Sequence, residues 1–221
     1  MKQILIQKNI LKNNDEIAKA NREILKEKEI FTINLLGSPG SGKTSILECI
    51  IKYLNSKHRL TVIEGDLYTT RDAERLEKHQ VEVVQINTGG ACHLDAAMVE
   101  KATQNIDIDK LDFLVIENVG NLVCPAAYDL GEDMKITVMS VTEGHDKPLK
   151  YPSMFQRSSV VILNKMDIIE YTNFDIDEFY KDVKSLNKDI KVFEVSCITE
   201  EGIMELCNYF DSQIASKGGS K

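Results

Sequence analysis

The run Gly37-Ser38-Pro39-Gly40-Ser41-Gly42-Lys43-Thr44 constrains the fold more than any other part of the chain. It matches G-x-x-x-x-G-K-[ST], follows directly on the apolar run Phe31–Leu36, and opens a segment predicted as helix over Thr44–Asn55. Strand, glycine-rich loop and helix in that order set consecutive backbone N–H groups and a helix N-terminus around a phosphate. Glycines permit the curl because they carry no Cβ. Lys43 is then expected on the β- and γ-phosphates of a nucleotide, the Thr44 hydroxyl on Mg²⁺, and Ser45 as the next contact along the helix.

Short β-rich runs alternate with helical segments through the rest of the chain. Strands are predicted over Phe31–Leu36, Leu60–Glu64, Val81–Ile86, Phe113–Glu117, Ile136–Val141, Val160–Asn164 and Lys191–Val195. Most are nearly continuous apolar runs, the mark of strands buried on both faces of a parallel sheet. Helices are predicted over Thr44–Asn55, Arg71–His79, His93–Gln104, Asp175–Leu186 and Ile203–Ser212. The implied fold is an α/β phosphate-loop NTPase with a mostly parallel, doubly wound sheet, its ligands at the carboxyl ends of the strands. Before it, Ile10, Leu11, Ile17, Ala18, Ile24 and Leu25 form an apolar stripe that predicts an amphipathic helix over Asp15–Lys28, with Asn14 as N-cap. Such stripes usually face their own domain, so packing is preferred to partner binding. The expected organisation is a helical segment over 1–30, the nucleotide domain over 31–214 and a disordered tail over 215–221.

Asn164-Lys165-Met166-Asp167 closes the strand Val160–Asn164 and matches the NKxD motif that selects guanine. A carboxylate at Asp167 can accept from both N1–H and N2–H₂ of guanine, a donor pair that adenine lacks on that edge. GTP is therefore the expected nucleotide. Ser196-Cys197-Ile198 follows the last strand, where GTPases carry a Ser-Ala-Lys-like base-contacting loop; here Ser196 and the local backbone, including that of Cys197, are the expected contributors. Hydrolysis also needs acidic groups to position Mg²⁺ and water. Glu117 ends the run Phe-Leu-Val-Ile-Glu and continues into Asn118-Val119-Gly120, a DxxG-like switch with Glu for Asp. Asp66, just past a strand, and Asp72, near a helix start, are further candidates for the γ-phosphate or Mg²⁺; both suit helix capping equally well. Lys43, Asp66, Asp72 and Glu117 form the expected catalytic set.

Composition narrows the partners. The 221 residues carry a net charge of −8, which disfavours nucleic acid or an anionic membrane, since no cationic excess exists to release counterions. The apolar stretch at the N-terminus is too short for a signal core, and no apolar run approaches the ~20 residues of a membrane span. The five cysteines (Cys49, Cys92, Cys124, Cys197 and Cys207) are odd in number and contain no CxxC pair. A reducing cytoplasm is the expected setting.

Two segments stand apart: Thr88-Gly-Gly-Ala-Cys92-His93-Leu-Asp95, after the strand Val81–Ile86, and Asn118-Val-Gly-Asn-Leu-Val-Cys124-Pro125, running out of the switch. Cys and His suit Zn²⁺ or Ni²⁺, and both segments leave strands of one sheet on its ligand side. On chemistry alone, buried structural cysteines outweigh a metal site.

In order, the phosphate loop, Glu64-Gly-Asp, Asp72-Ala-Glu-Arg-Leu76, the Cys92-His93 and Glu117–Cys124 segments, Thr142-Glu-Gly144 and Asn164-Lys-Met-Asp167 closely resemble the hydrogenase nickel-incorporation GTPases, the HypB family of metallochaperones. The likeness runs from about Phe31 onward. It implies GTP hydrolysis coupled to nickel delivery into the large subunit of [NiFe]-hydrogenase. It also implies a Ni²⁺ or Zn²⁺ site of Cys92, His93 and Cys124 at the interface of a GTP- or metal-dependent homodimer, working with hydrogenase maturation proteins. Three ligands leave a position open, and two chains pooling thiolates would close it. The N-terminal CxxCGC motif and histidine-rich stretch of many members do not occur in this sequence, so nickel storage is not expected. His145 replaces a common acidic residue; a solvated loop histidine is preferred to a role in tuning metal or partner binding. The alternatives are a urease-type nickel metallochaperone, which would carry Cys-Pro-His where Pro125 is here followed by Ala126, and a regulatory GTP-binding switch without metal cargo.

Overall fold

A computed structural model describes residues 6–66 and 70–218. All seven predicted strands form: β1 (Phe31–Gly37), β2 (Leu60–Asp66), β3 (Glu82–Asn87), β4 (Phe113–Glu117), β5 (Met134–Ser140), β6 (Val160–Asn164) and β7 (Lys191–Glu194). They make one sheet in the order β3-β2-β4-β1-β5-β6-β7, and every strand pair is parallel. β1 lies between β4 and β5, so the chain diverges to either side of it and opens a crevice at its carboxyl end. The expected doubly wound α/β fold is what the chain adopts.

Alternate residues of each strand feed opposite faces. Phe113 and Val115 of β4 pack with Ile33 and Leu35 under the helices α2 (Lys43–Leu54), α3 (Arg71–Glu77) and α9 (Ile203–Lys217). Leu114 and Ile116 face the other way, onto α1 (Ile6–Glu27) and α4 (Ala96–Thr103). Beside them on that second face, α5 (Cys124–Ala127), α7 (Pro152–Arg157) and α8 (Ile176–Leu186) cover β5 and β6 through Ala126, Phe155, Phe179 and Met139. The short helices α5, α6 (Lys147–Lys150) and α7 have no apolar periodicity to announce them. Each carries a proline in its first turn, where the missing N–H costs nothing.

Three expectations need correction. The N-terminal helix starts by Ile6, and Asn14 is inside it rather than capping it. Nothing in the preceding residues breaks a helix, and the Asn14 amide is spent on tertiary partners: its Nδ2 donates to the Asp129 carbonyl at 2.8 Å, and its Oδ1 accepts from Ala96 N at 2.9 Å. The helix expected from His93 starts instead at Ala96, because Asp95 is its N-cap and accepts from Met98 N at 2.8 Å. His93 is left in the loop. At the other end, α9 runs through Lys217, into the segment expected as a tail; 219–221 lie outside the described residues.

The buried stripe of α1 is Asn14, Ala18, Asn21 and Leu25, while Ile24 is exposed. Asn21 Nδ2 donates to the carbonyls of Ala96 at 2.9 Å and Leu130 at 3.1 Å. Asn14 and Asn21 thus hold both the N–H and the C=O of Ala96, and α1 is fastened to the start of α4. The Asn21→Leu protein would strand two buried carbonyls, and it is expected to lose about 2–3 kcal/mol of stability in urea unfolding with little change in the m-value. An undiminished midpoint would show that these bonds contribute nothing net.

Candidate functional site

The loop between β1 and α2 turns through Gly40 (φ 80°) and Gly42 (φ 100°), both left-handed. A Cβ on Gly42 would sit 2.2 Å from Asn164 Nδ2, and one on Gly37 only 2.4 Å from the Val138 carbonyl oxygen. Glycine is therefore required by contact as well as by conformation. Gly120 meets the loop from the β4 side, where a Cβ would lie 2.9 Å from the Pro39 side chain. The Lys43 ammonium folds back to the carbonyls of Ser38 at 3.3 Å and Gly37 at 3.5 Å. Ser38 donates to the Glu143 carboxylate, whose other oxygen accepts Ser140 N at 2.9 Å, so the loop after β5 braces the phosphate loop.

A cleft of about 510 Å³ opens over this loop, lined by Lys43, Thr44, Ser45, Asp66, Asp72, Glu117 and Gly120 among the expected residues. Thr44 Oγ1 donates to Glu117 Oε1 at 3.0 Å. Asp72 lines the cleft while paired with Arg75 at 3.2 Å, and the α3 N-cap position belongs to Thr70, so capping is not what Asp72 does. Arg75 also forks onto Glu48 of α2, at 2.6 and 3.3 Å.

The sequence reading missed Glu64. It pairs in register with Glu117 across β2 and β4, so two buried carboxyl groups face the cleft from adjacent strand ends. The signal was present: Leu-Thr-Val-Ile-Glu64 ends an apolar strand as Phe-Leu-Val-Ile-Glu117 does. Burial, then the charge of Glu117, pushes the Glu64 carboxyl up to about 8. Burial likewise lifts Glu117 to about 7, with Lys43 and the Thr44 hydroxyl opposing it. Oε2 of each has no hydrogen-bond partner among the described residues. Two such acceptors at a phosphate loop fit a hydrated cation far better than they fit an apolar core.

On the far side, Asn164 Nδ2 donates to the Ser41 carbonyl at 3.0 Å, and Lys165, left-handed at φ 65°, reaches the Gly40 carbonyl at 2.8 Å. Asp167 Oδ1 accepts from Ser196 Oγ at 2.6 Å, and that hydroxyl also receives the N–H groups of Ile198 and Thr199. Ser196 therefore orients Asp167. The Cys197 thiol contacts Asn164 Oδ1 at 3.5 Å and is held protonated by the neighbouring Cys49 thiol and by burial.

The loop after β3 and the segment after β4 converge as expected. The ligand atoms of Cys92, His93 and Cys124 all lie within 4.8 Å of one another, with Cys92 Sγ 3.6 Å from His93 Nδ1. The His93 ring lies against that of Tyr128, centroids 3.8 Å apart and planes tilted by 30°, and burial lowers its pKa. Val123, beside the cluster, is 62% exposed. His145 is not part of it: the ring bonds Asp175 N at 3.2 Å and Glu178 at 3.1 Å, tying its loop to α8.

Residues 31–194 match the family described as CobW/HypB/UreG, nucleotide-binding domain. The chain is 46% identical over 208 residues to a hydrogenase maturation factor HypB from Azotobacter vinelandii, covering 94% of this chain and 69% of that protein. It is 41% identical over 218 residues to a hydrogenase/urease maturation factor HypB from Helicobacter hepaticus, covering 97% and 89%. The crystal structure of HypB from Helicobacter pylori in complex with nickel superposes with a TM-score of 0.88 at 39% identity, over 92% of this chain and 96% of that one.

The Glu64 carboxyl generates a prediction about pH. A folded-state pKa raised to about 8 contributes stability that is full below the unfolded value near 4.5 and lost as pH rises through 8. Nucleotide-free Glu64→Gln protein should therefore gain stability over the parent between pH 5 and 8, by at most roughly 1.4 kcal/mol per pH unit. Urea unfolding at both ends of that range checks it; a difference independent of pH would contradict the buried-acid assignment.

Proposed function

The chain belongs to the HypB family of hydrogenase maturation factors, within the CobW/HypB/UreG group, and on that premise we propose that it is a GTP-hydrolysing metallochaperone that assists nickel insertion into [NiFe]-hydrogenase. The observation that carries this reading is the continuity of one short segment. It lines the nucleotide cleft from Glu117 to Gly120 and arrives at Cys124, seven residues after Glu117, within 4.8 Å of the ligand atoms of Cys92 and His93. A nucleotide switch and a thiolate-imidazole cluster joined so closely are hard to account for in a GTPase without metal cargo.

In this reading, the loop Gly37–Ser45 cradles the phosphates through the backbone N–H groups of its residues other than Pro39, and the Lys43 ammonium swings from the Ser38 carbonyl to offset charge on the transferring phosphoryl group. Thr44, Glu117, Asp66 and Asp72, with Glu64, would hold Mg²⁺, which supplies charge neutralisation at the phosphates when bound; the orphan oxygens of Glu64 and Glu117 support that role. Asp167 accepts guanine N1–H and N2–H₂, oriented by Ser196, while Asn164 and Lys165 join this pocket to the phosphate loop.

Cys92, His93 and Cys124 would hold the cargo ion, Ni²⁺ or Zn²⁺. A trio leaves a coordination position open, which favours a homodimer pooling its ligands, with exposed Val123 at the junction. Work inside the cytoplasm, alongside other maturation proteins and the hydrogenase large subunit, completes the reading. Urease is a second client worth testing, since the Helicobacter hepaticus relative is named for both enzymes.

Equilibrium dialysis against Ni²⁺ and Zn²⁺ tests the function. Binding should be retained by the parent chain and lost in Cys124→Ser; a parent that binds neither ion would overturn the proposal. For the base, Asp167→Asn should weaken GTP binding and favour xanthosine nucleotides, because the new amide donates to the xanthine 2-oxo group. A competition assay that finds ATP bound as tightly as GTP by the parent chain would refute the guanine assignment.

A further inference from the structure

Leu94 is where the metal-bearing loop meets the floor of the nucleotide cleft. Its side chain is fully buried against Gly65, at the end of β2, where a Cβ would approach its carbons to 2.8 Å. Its backbone N–H donates to Asn118 Oδ1 at 3.1 Å, and the same oxygen accepts Val119 N–H at 3.0 Å. Those donors fix which end of the Asn118 amide is oxygen. The Nδ2 end points to β1, donating to Asn34 Oδ1 at 3.2 Å. Asn34 in turn donates to Glu132 Oε1 at 3.3 Å, and Glu132 Oε2 accepts Leu130 N at 2.7 Å. Asn34, Asn118 and Glu132 are all buried.

These hydrogen bonds run from the middle strand of the sheet to the cleft, which Glu117, Asn118, Val119 and Gly120 line. Glu117 accepts the Thr44 hydroxyl, the same group assigned above to nucleotide-bound Mg²⁺, so nucleotide binding must change the partner of Glu117. A shift of Val119 is felt at Asn118 Oδ1, and through it at Leu94, the residue next to His93. On the other side Ala96 is held at both its N–H and C=O by Asn14 and Asn21 of α1, so displacement at Leu94 is directed toward His93 and Cys92. A second amide runs parallel: Asn121 Nδ2 donates to the Cys92 carbonyl at 3.3 Å, while its Oδ1 accepts Val123 N at 2.8 Å.

We propose that Asn118 is the positioning residue that couples nucleotide state to the metal trio, its carboxamide oxygen tying Val119 of the cleft to Leu94 of the metal loop. The inference rests on the metallochaperone reading above. The low-dielectric surroundings of buried Asn118 make a shared acceptor sensitive to small displacements of either donor.

Titration with Ni²⁺ in the presence of GDP and of a non-hydrolysable GTP analogue tests the role. The parent protein should show about a tenfold difference in nickel affinity between the nucleotides, and Asn118→Ala less than about a twofold difference. Loss of a merely structural amide would lower both affinities together and leave their ratio unchanged. Because deleting a buried amide can unfold the chain, a second measurement uses the unaltered protein. The Leu94 and Val119 N–H groups share one acceptor, so their hydrogen-exchange protection should change together between GDP and the analogue, by about tenfold. Asn118→Ala with the full nickel ratio, equal nickel affinity of the parent in both nucleotides, or a Leu94 amide indifferent to nucleotide overturns the role of Asn118 and leaves the metallochaperone reading standing. A parent protein that binds no Ni²⁺ with either nucleotide overturns that reading and the coupling with it.

Discussion

Everything in this molecule depends on how closely the phosphate loop is allowed to approach its neighbours. Gly37 lies against the Val138 carbonyl, Gly42 against the Asn164 amide and Gly120 against Pro39, each at distances that a Cβ would violate. These approaches bring the ends of β1, β4, β5 and β6 into one crevice, so that residues 73 to 125 positions apart share hydrogen bonds. Asn164 on Ser41 and Lys165 on Gly40 are the longest of these links. A parallel sheet makes the arrangement natural, because every strand delivers its carboxyl end to the same edge.

Against that backdrop the buried polar groups divide into two kinds. Asn34, Asn118, Asn14 and Asn21 are satisfied, and they join elements that the apolar core alone would only press together. Glu64 and Glu117 each keep one oxygen without a partner among the described residues, and burial drives both toward the neutral acid. Folding by itself gains nothing from such groups; a cation and a phosphate chain in the cleft would gain a great deal, since both carboxylates are already desolvated and aimed. The cost to the unliganded protein is thus located in the same residues as the function.

The cluster of Cys92, His93 and Cys124 shows the same economy of position. Cys92 and His93 precede the Asp95 cap of α4, and Cys124 is the first residue of α5, with Pro125 behind it. Both segments are short leaders into a helix, tied to each other by the Leu94 N–H on Asn118 and the Asn121 amide on the Cys92 carbonyl, with the Tyr128 ring behind the imidazole. α1, which precedes the matched residues 31–194, contributes to this by gripping Ala96.

Much of this was legible in the residue order. The phosphate loop, the seven strands, the NKxD motif and the converging cysteine and histidine segments all depend on local chemistry: glycine at left-handed positions, apolar runs of strand length, donor types matched to a ligand. The sequence by itself determined the class of fold, the phosphate site and which side chains could hold a thiophilic ion. Tertiary structure decided what local signals do not encode. Glu64 became a cleft residue only through its register with Glu117. Asn14 read as a helix cap until Asp129 and Ala96, over 80 residues away, offered better partners. Asn118 read as one position of a switch motif until Leu94 and Asn34 claimed the two ends of its amide. Distant partners decide the two asparagines, because burial makes an unmet amide costly, and strand register decides Glu64; neither is encoded in the local sequence.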